Sequence, residues 1–262
     1  MIARGSMSIE TFRPDLFVNK TALVTGAGRG IGAGIAKAFA ELGARVIHHD
    51  IDGDALGERF RSSPRDCVTG DLAAHGVAEA IFADALARAG RIDILINNAG
   101  RSWAVETKDI EPERTQELIE LNLKSVLALS RCFAIHARQR GGGGSIVQIS
   151  STAGILGYQR RTVYCATKFA VIGMTKAMAL EHAREGLRVN AVLPHVVETE
   201  MFRTTAKPEE IALWRAGIPM DRFATVEDVG ALCVFLCSPA AAYLTGGVYP
   251  VDGGAMAGPY GG

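Results

Sequence analysis

Thr21-Ala22-Leu23-Val24-Thr25 is a short β-prone run that leads directly into Gly26-Ala27-Gly28-Arg29-Gly30-Ile31-Gly32, then into a helical pattern carried by Ile35, Ala36, Phe39 and Ala40. Strand, glycine turn and helix in that order aim backbone N–H groups and a helix N-terminus at one point, the geometry that receives a pyrophosphate. The remainder of the chain continues the alternation. Strands are expected at 21–25, 45–50, 67–70, 92–97, 145–150, 188–193 and 247–251, and helices at 30–42, 75–89, 112–139, 162–185 and 226–237. Most of the strands are continuous Val/Ile/Leu-rich runs, as parallel strands buried on both faces read. The expected fold class is α/β, a doubly wound parallel sheet of about seven strands with helices on both faces. Residues 1–16 read as a flexible tail and 17–262 as one domain. Gly5-Ser6-Met7 has the composition of a tag remnant, which would put the native start at Met7. Gly141 to Gly144 reads as a flexible loop. The stretch 198–223, with Met201, Phe202, Lys207-Pro208, Trp214 and Pro219, reads as an apolar lid over the carboxyl edge of the sheet.

Chemistry is suggested by Tyr164-Cys165-Ala166-Thr167-Lys168, with Ser151 thirteen residues upstream of Tyr164. Tyr and Lys four apart share one helix face. An ammonium beside a phenol stabilises the phenolate, so the pair is expected to lower the Tyr164 pKa from about 10. Ser151, at the end of an apolar strand, is placed to hold a carbonyl oxygen. A Tyr and a Lys at this spacing also occur on ordinary amphipathic surfaces, so the pair alone does not decide the matter.

Charge and composition exclude several partners. Lys and Arg number 28, Asp and Glu 28, and the pI is near 7. That balance argues against nucleic acid, which needs a basic excess or patch. No uncharged apolar run of about 18 residues is present, so no membrane span is expected. The five cysteines, at 67, 132, 165, 233 and 237, fit no zinc spacing, and Cys233 and Cys237 read as small core residues of one helix face. Reduced thiols and the lack of an apolar signal core near Met1 lead to a cytoplasmic expectation. Of the six histidines, His48 and His49 are strand neighbours that point to opposite faces, and His75, His136 and His182 are scattered over helices, so no metal is expected.

The glycine spacing, Thr25-Gly26-x-x-x-Gly30-x-Gly32, resembles that of the classical short-chain dehydrogenase/reductase family, and the resemblance extends from about Phe17 onward. Asn97-Asn98-Ala99-Gly100, Asn122 within Leu121-Asn122-Leu123, Ser151, Tyr164, Lys168, Asn190-Ala191-Val192-Leu193-Pro194 with Thr199, and Val251-Asp252-Gly253-Gly254 resemble its further motifs in order. The resemblance implies a Rossmann-type enzyme with Asn122, Ser151, Tyr164 and Lys168 as its catalytic set. Asn122 would help to hold a water that links Lys168 to solvent. Cofactor contacts are implied at Thr25, Gly26, Arg29, Gly30, Ile31, Gly32, Asp50, Asp71, Leu72, Asn98, Ala99, Gly100, Tyr164, Lys168, Pro194, Val197 and Thr199. Substrate contacts are implied at Ser151, Tyr158 and His195. His195 departs from the family, which commonly has Gly after this Pro, and so puts the local backbone geometry in question. Arg160 and Arg161 would bind a carboxylate or phosphate, or lie in solvent or at a subunit contact.

Asp50 ends the second strand, about 20 residues past the glycines, where an acidic residue bonds a ribose 2′-OH and repels a 2′-phosphate. Arg29 pulls the other way. NAD is therefore expected over NADP. The implied reaction is hydride transfer between NAD(H) and a secondary alcohol/ketone pair of the polyol, hydroxy-acid or cyclic-alcohol class. The rivals are an NADPH-preferring 3-oxoacyl-carrier-protein-type reductase and a nucleotide-sensing protein without catalysis. Family resemblance also implies a homotetramer built on the helices at 112–139 and 162–185.

Overall fold

β1 (Thr21–Thr25) is buried along its whole length, and its side chains divide between two cores. Ala22 and Val24 face one side of the sheet and Leu23 the other, the alternation that a strand imposes on even a continuous apolar run. A computed structural model of the chain describes residues 12–61, 63–205 and 208–258. The glycine turn follows β1 and opens α1 (Gly30–Glu41), after which come β2 (Arg45–Asp50), α2 (Gly53–Arg59), β3 (Cys67–Thr69), α3 (Val77–Ala89) and β4 (Ile94–Asn97). The second half holds α4 (Pro112–Ile119), α5 (Ser125–Gln139), β5 (Gly144–Ile149), α6 (Thr162–His182), β6 (Leu187–Pro194), α7 (Glu200–Thr205), α8 (Pro208–Ala216), α9 (Val226–Cys237) and β7 (Val248–Val251).

The seven strands form one sheet in the order β3-β2-β1-β4-β5-β6-β7, and every pairing is parallel. Ile35, Phe39, Val229 and Val234 of α1 and α9 close one face. Ile81, Phe82, Leu129, Phe133, Met178 and Ala179 of α3, α5 and α6 close the other. The strand order reverses direction between β1 and β4, and a crevice opens there at the carboxyl ends of the strands.

Several elements differ from the sequence expectation, α7 and α8 among them, which fall where no helix was expected. The single helix expected over 112–139 is interrupted at residues 120–124 by a π-helical turn. The α2 helix was not expected at all. Its N-cap is Asp52, whose side chain accepts from Ala55 N at 3.0 Å. The expected tail at 1–16, including Gly5-Ser6-Met7, falls outside the described residues as far as residue 11. From there Phe12 and Leu16 pack against the core, and Phe17 is 2% exposed. Between β6 and α9 the chain returns on itself where Val197 bridges Ala224. The intervening segment carries α7 and α8, with Phe202 packed against Phe223 and Trp214 at ring distances of 4.9 and 6.0 Å. Lys207 lies outside the described residues.

Cys233 and Cys237 are buried in the α9 core, and burial pushes the Cys237 thiol up to about 12. One segment, Thr162–Glu185, does reach the length and mean hydropathy (1.2) of a membrane span. Its inner face, with Lys168, Val171, Thr175 and Met178, is buried within the protein.

Candidate active site

The crevice is a cavity of about 860 Å³ lined by the glycine turn, the ends of β2 and β3, the segment after β4, and Ser151, Tyr164, Lys168, Pro194, His195 and Thr199. Its phosphate end is built from backbone. Gly26 and Gly30 have φ of 66° and 55°, a region where side chains are strained. A Cβ on Gly32 would sit 2.0 Å from Gly26 O, so the first turn of α1 can lie against the loop only if that residue is glycine. Asn98 Nδ2 donates to Thr25 O at 2.9 Å and to Gly26 O at 3.3 Å, holding the loop from the neighbouring strand. Thr25 turns away from the cavity. Its hydroxyl accepts from the Asn98 and Ala99 N–H groups, both at 3.0 Å, and stitches β1 to β4.

Asp50 is 6% exposed at the end of β2. One carboxylate oxygen accepts from Gly28 N at 2.9 Å and the other from Asp52 N at 3.1 Å. The acid thus fixes the glycine turn and also lines the cavity. Arg29 is drawn off to Asp52 at 3.0 Å. Arg59 of α2 donates to Gly28 O at 2.9 Å, a support for the loop that no sequence signal announced, because α2 itself was not legible. Asp71 and Leu72 line the wall, and the Asp71 carboxylate accepts from Ala73 N at 2.9 Å.

The opposite end gathers the groups that can move protons. Lys168 is 5% exposed, and its Nζ donates to Ile149 O at 2.9 Å and lies 5.7 Å from the Tyr164 ring centre. Burial lowers the ammonium to about 8. The phenol of Tyr164 is raised above its ordinary value by burial, against which a hydrogen bond from Ser151 and the charge of Arg161 act only in part. This corrects the expectation that Lys168 lowers the Tyr164 pKa. The lysine points past the phenol to the β5 carbonyl, and desolvation acts on both groups.

Asn122 sits in the π turn and is 1% exposed. Its Oδ1 accepts from Arg101 N at 2.9 Å, and its Nδ2 donates to Arg101 O at 2.8 Å and to Thr167 Oγ1 at 3.3 Å. A Cβ on Gly100 would lie 3.1 Å from Asn122 Oδ1 and 3.6 Å from Lys168 Nζ, so the two groups converge behind that glycine. Asn122, Thr25, Val197 and Tyr158 are absent from the cavity wall itself, whereas His49, Arg101, Ser102 and Glu200 join it. Arg101 and Ser102 directly follow the Asn-Asn-Ala-Gly segment, and that position was the signal available for them. Arg161 donates to Ser102 Oγ at 2.9 Å. His195 is not among the non-glycine residues with positive φ, which among the described residues are Asn19, Arg160 and Asp221, so its departure from glycine strains no backbone.

These features fit a dinucleotide. A glycine cradle at a helix N-terminus suits the pyrophosphate, Asp50 suits a ribose diol, and a crevice at the strand-order reversal leads from there to Ser151 and Tyr164. Residues 26–256 match a family model described as enoyl-(acyl carrier protein) reductase. The chain is 36% identical to galactitol 2-dehydrogenase of Agrobacterium fabrum over 253 residues, 90% of this chain and 97% of that protein. It is also 36% identical to D-threitol dehydrogenase of Mycolicibacterium smegmatis over 246 residues, 90% of this chain and 92% of that protein. A crystal structure from Beutenbergia cavernae superposes with a TM-score of 0.87 at 36% identity, covering 94% of this chain and 100% of that one. That protein is described as a candidate NAD(P)-dependent gluconate 5-dehydrogenase, with NADP bound at low occupancy. The chain belongs to the classical short-chain dehydrogenase/reductase family of oxidoreductases.

Proposed function

We propose that this protein is an NAD-dependent dehydrogenase of secondary alcohols in the polyol and hydroxy-acid class. The observation that carries the cofactor choice is Asp50. Its buried carboxylate stands at the end of β2, already bonded to the glycine turn, so a 2′-phosphate placed against it meets a like charge in a partly dry site. Arg29, the cation available to offset that charge, is paired with Asp52. The names of the relatives, galactitol and threitol dehydrogenases, support the alcohol class.

When bound, the nicotinamide cofactor supplies the hydride acceptor. The protein's part is orientation and proton transfer. Ser151 holds the substrate oxygen, and Tyr164, once its own proton has passed to solvent, takes the hydroxyl proton on Oη as the carbinol becomes a carbonyl. Lys168, with an ammonium that titrates near 8, exchanges protons in the working range. Asn122 acts as a positioning residue through the backbone of Arg101 and through Thr167. The molecule would assemble as a homotetramer through the outward faces of α5 and α6.

Calorimetric titration with NAD and NADP tests the cofactor assignment. NAD is expected to bind at least tenfold tighter, a difference of about 1.4 kcal/mol, and Asp50→Ala should erode that margin. Tighter binding of NADP by the unmodified protein would reverse the assignment and favour the NADP seen with the Beutenbergia protein.

A further inference from the structure

His195 follows Pro194 at the end of β6 and lines the cavity with Ser151 and Tyr164. Its Nδ1 is 3.1 Å from Thr152 Oγ1 and 3.2 Å from Tyr158 Oη, and those two oxygens are 3.0 Å apart. Two hydroxyl protons serve this triangle. Both are used within it when one hydroxyl donates to Nδ1 and the other donates to the first oxygen. A proton on Nδ1 would leave a hydroxyl proton without an acceptor there. Thr152 is 2% exposed, whereas Tyr158 is half-buried and its hydroxyl can turn to solvent. Both tautomers therefore satisfy the network, and the one with the ring proton on Nε2 keeps both hydroxyl protons within it. Burial lowers the imidazole below its ordinary value, with Asp252 opposing. Nε2, on the other edge of the ring, bonds no described residue and is not a sealed, partnerless atom.

The ring is thus held on the cavity wall by Thr152, the residue next to Ser151, and by Tyr158, with Nε2 bonded to no described residue. The transfer of a hydride from one carbinol needs no such group. Ser151 and Tyr164 already attend the reacting oxygen. We propose that His195 carries its ring proton on Nε2 and that this N–H reads a second oxygen of the substrate, close to the reacting carbinol, and so selects alcohols that carry a neighbouring oxygen over isolated secondary alcohols. The proposal rests on the dehydrogenase reading and narrows it. A donor without its acceptor in a desolvated site is costly, so the analogue lacking that oxygen is rejected. A neutral polyol and a hydroxy acid both present such an oxygen, and the two differ in charge.

Steady-state kinetics on matched pairs tests this. The neutral pair is butane-2,3-diol and butan-2-ol, and the acidic pair is 2-hydroxypropanoate and propan-2-ol, each with NAD and with NADP. The unmodified protein is expected to favour the more oxygenated member at least tenfold in kcat/KM, and the pair with the larger preference identifies the source of the oxygen. His195→Leu should bring the ratio to about one, chiefly by raising the KM of the diol. His195→Gln, which keeps an N–H donor, should restore part of it. Thermal melts establish that both variants are folded. A ratio unchanged in folded His195→Leu, or an unmodified enzyme that oxidises the monoalcohols equally well, overturns the inference and leaves the dehydrogenase reading standing. No turnover of any pair with either cofactor overturns both.

Discussion

Tyr164 holds its hydroxyl between opposing influences. Burial favours the neutral phenol, while the Ser151 hydrogen bond and the Arg161 charge favour the anion, and burial prevails. On the proposed mechanism, the phenol acts only on the reacting proton. Tyr164→Phe should therefore lower kcat by about 10² to 10⁴-fold with NAD affinity by calorimetry nearly unchanged. Turnover within a few-fold of the parent would mean that another group moves the proton. The identities of Asp50, Ser151, Tyr164 and Lys168 were legible because each stands at the end of a strand or on one helix face, in an order that the chain displays directly. The direction of the phenol's shift was not. It depends on how much protein covers the ring and on where the Lys168 ammonium points, and the latter is decided by Ile149 O, a backbone atom with no signature in the residue types.

At the scale of elements, the long buried strands and the glycine turn could be read from apolar runs and spacing, whereas α2 and the π turn could not. α2 is seven residues long, with only Leu56 among its buried residues, too little for a periodic pattern to register. The turn at 120–124 contains Leu121-Asn122-Leu123 with nothing to mark it as other than α-helix. It matters because it places Asn122 against Arg101. The outward faces of α5 and α6 carry Leu127, Ile135, Phe169 and Leu180, the last 84% exposed. Phe169 and Leu180 are eleven residues apart, within about 20° of each other around the helix. If these faces make the proposed assembly, light scattering should report a mass of four subunits for the parent and a smaller species for Leu180→Glu. A monomeric parent at micromolar concentration would remove that part of the reading.

For the molecule as a whole, acid should be destabilising through the buried histidines of β2. His48 is 5% exposed, stacks on Phe60 at 3.5 Å and is lowered to about 4 by burial, with Asp66 opposing. Its folded pKa lies below the unfolded 6.5, so the unfolded chain binds the proton first, and stability is lost as pH falls from 6.5 toward 4. Urea denaturation at pH 7 and pH 5 should show a loss of about 2 kcal/mol from this group, and His48→Phe should remove it. An equal pH dependence in parent and variant would show that the ring titrates normally. A last consequence follows from the stitching of β1 to β4. The Asn98 amide that reaches Thr25 lies 73 residues further along the chain. A nascent chain therefore exposes its glycine turn long before the strand that completes it has been made, and non-local closures of this kind are slow to form. Cofactor binding should accordingly reward only the finished fold, acting as a late clamp on the folding reaction rather than as an early template for it.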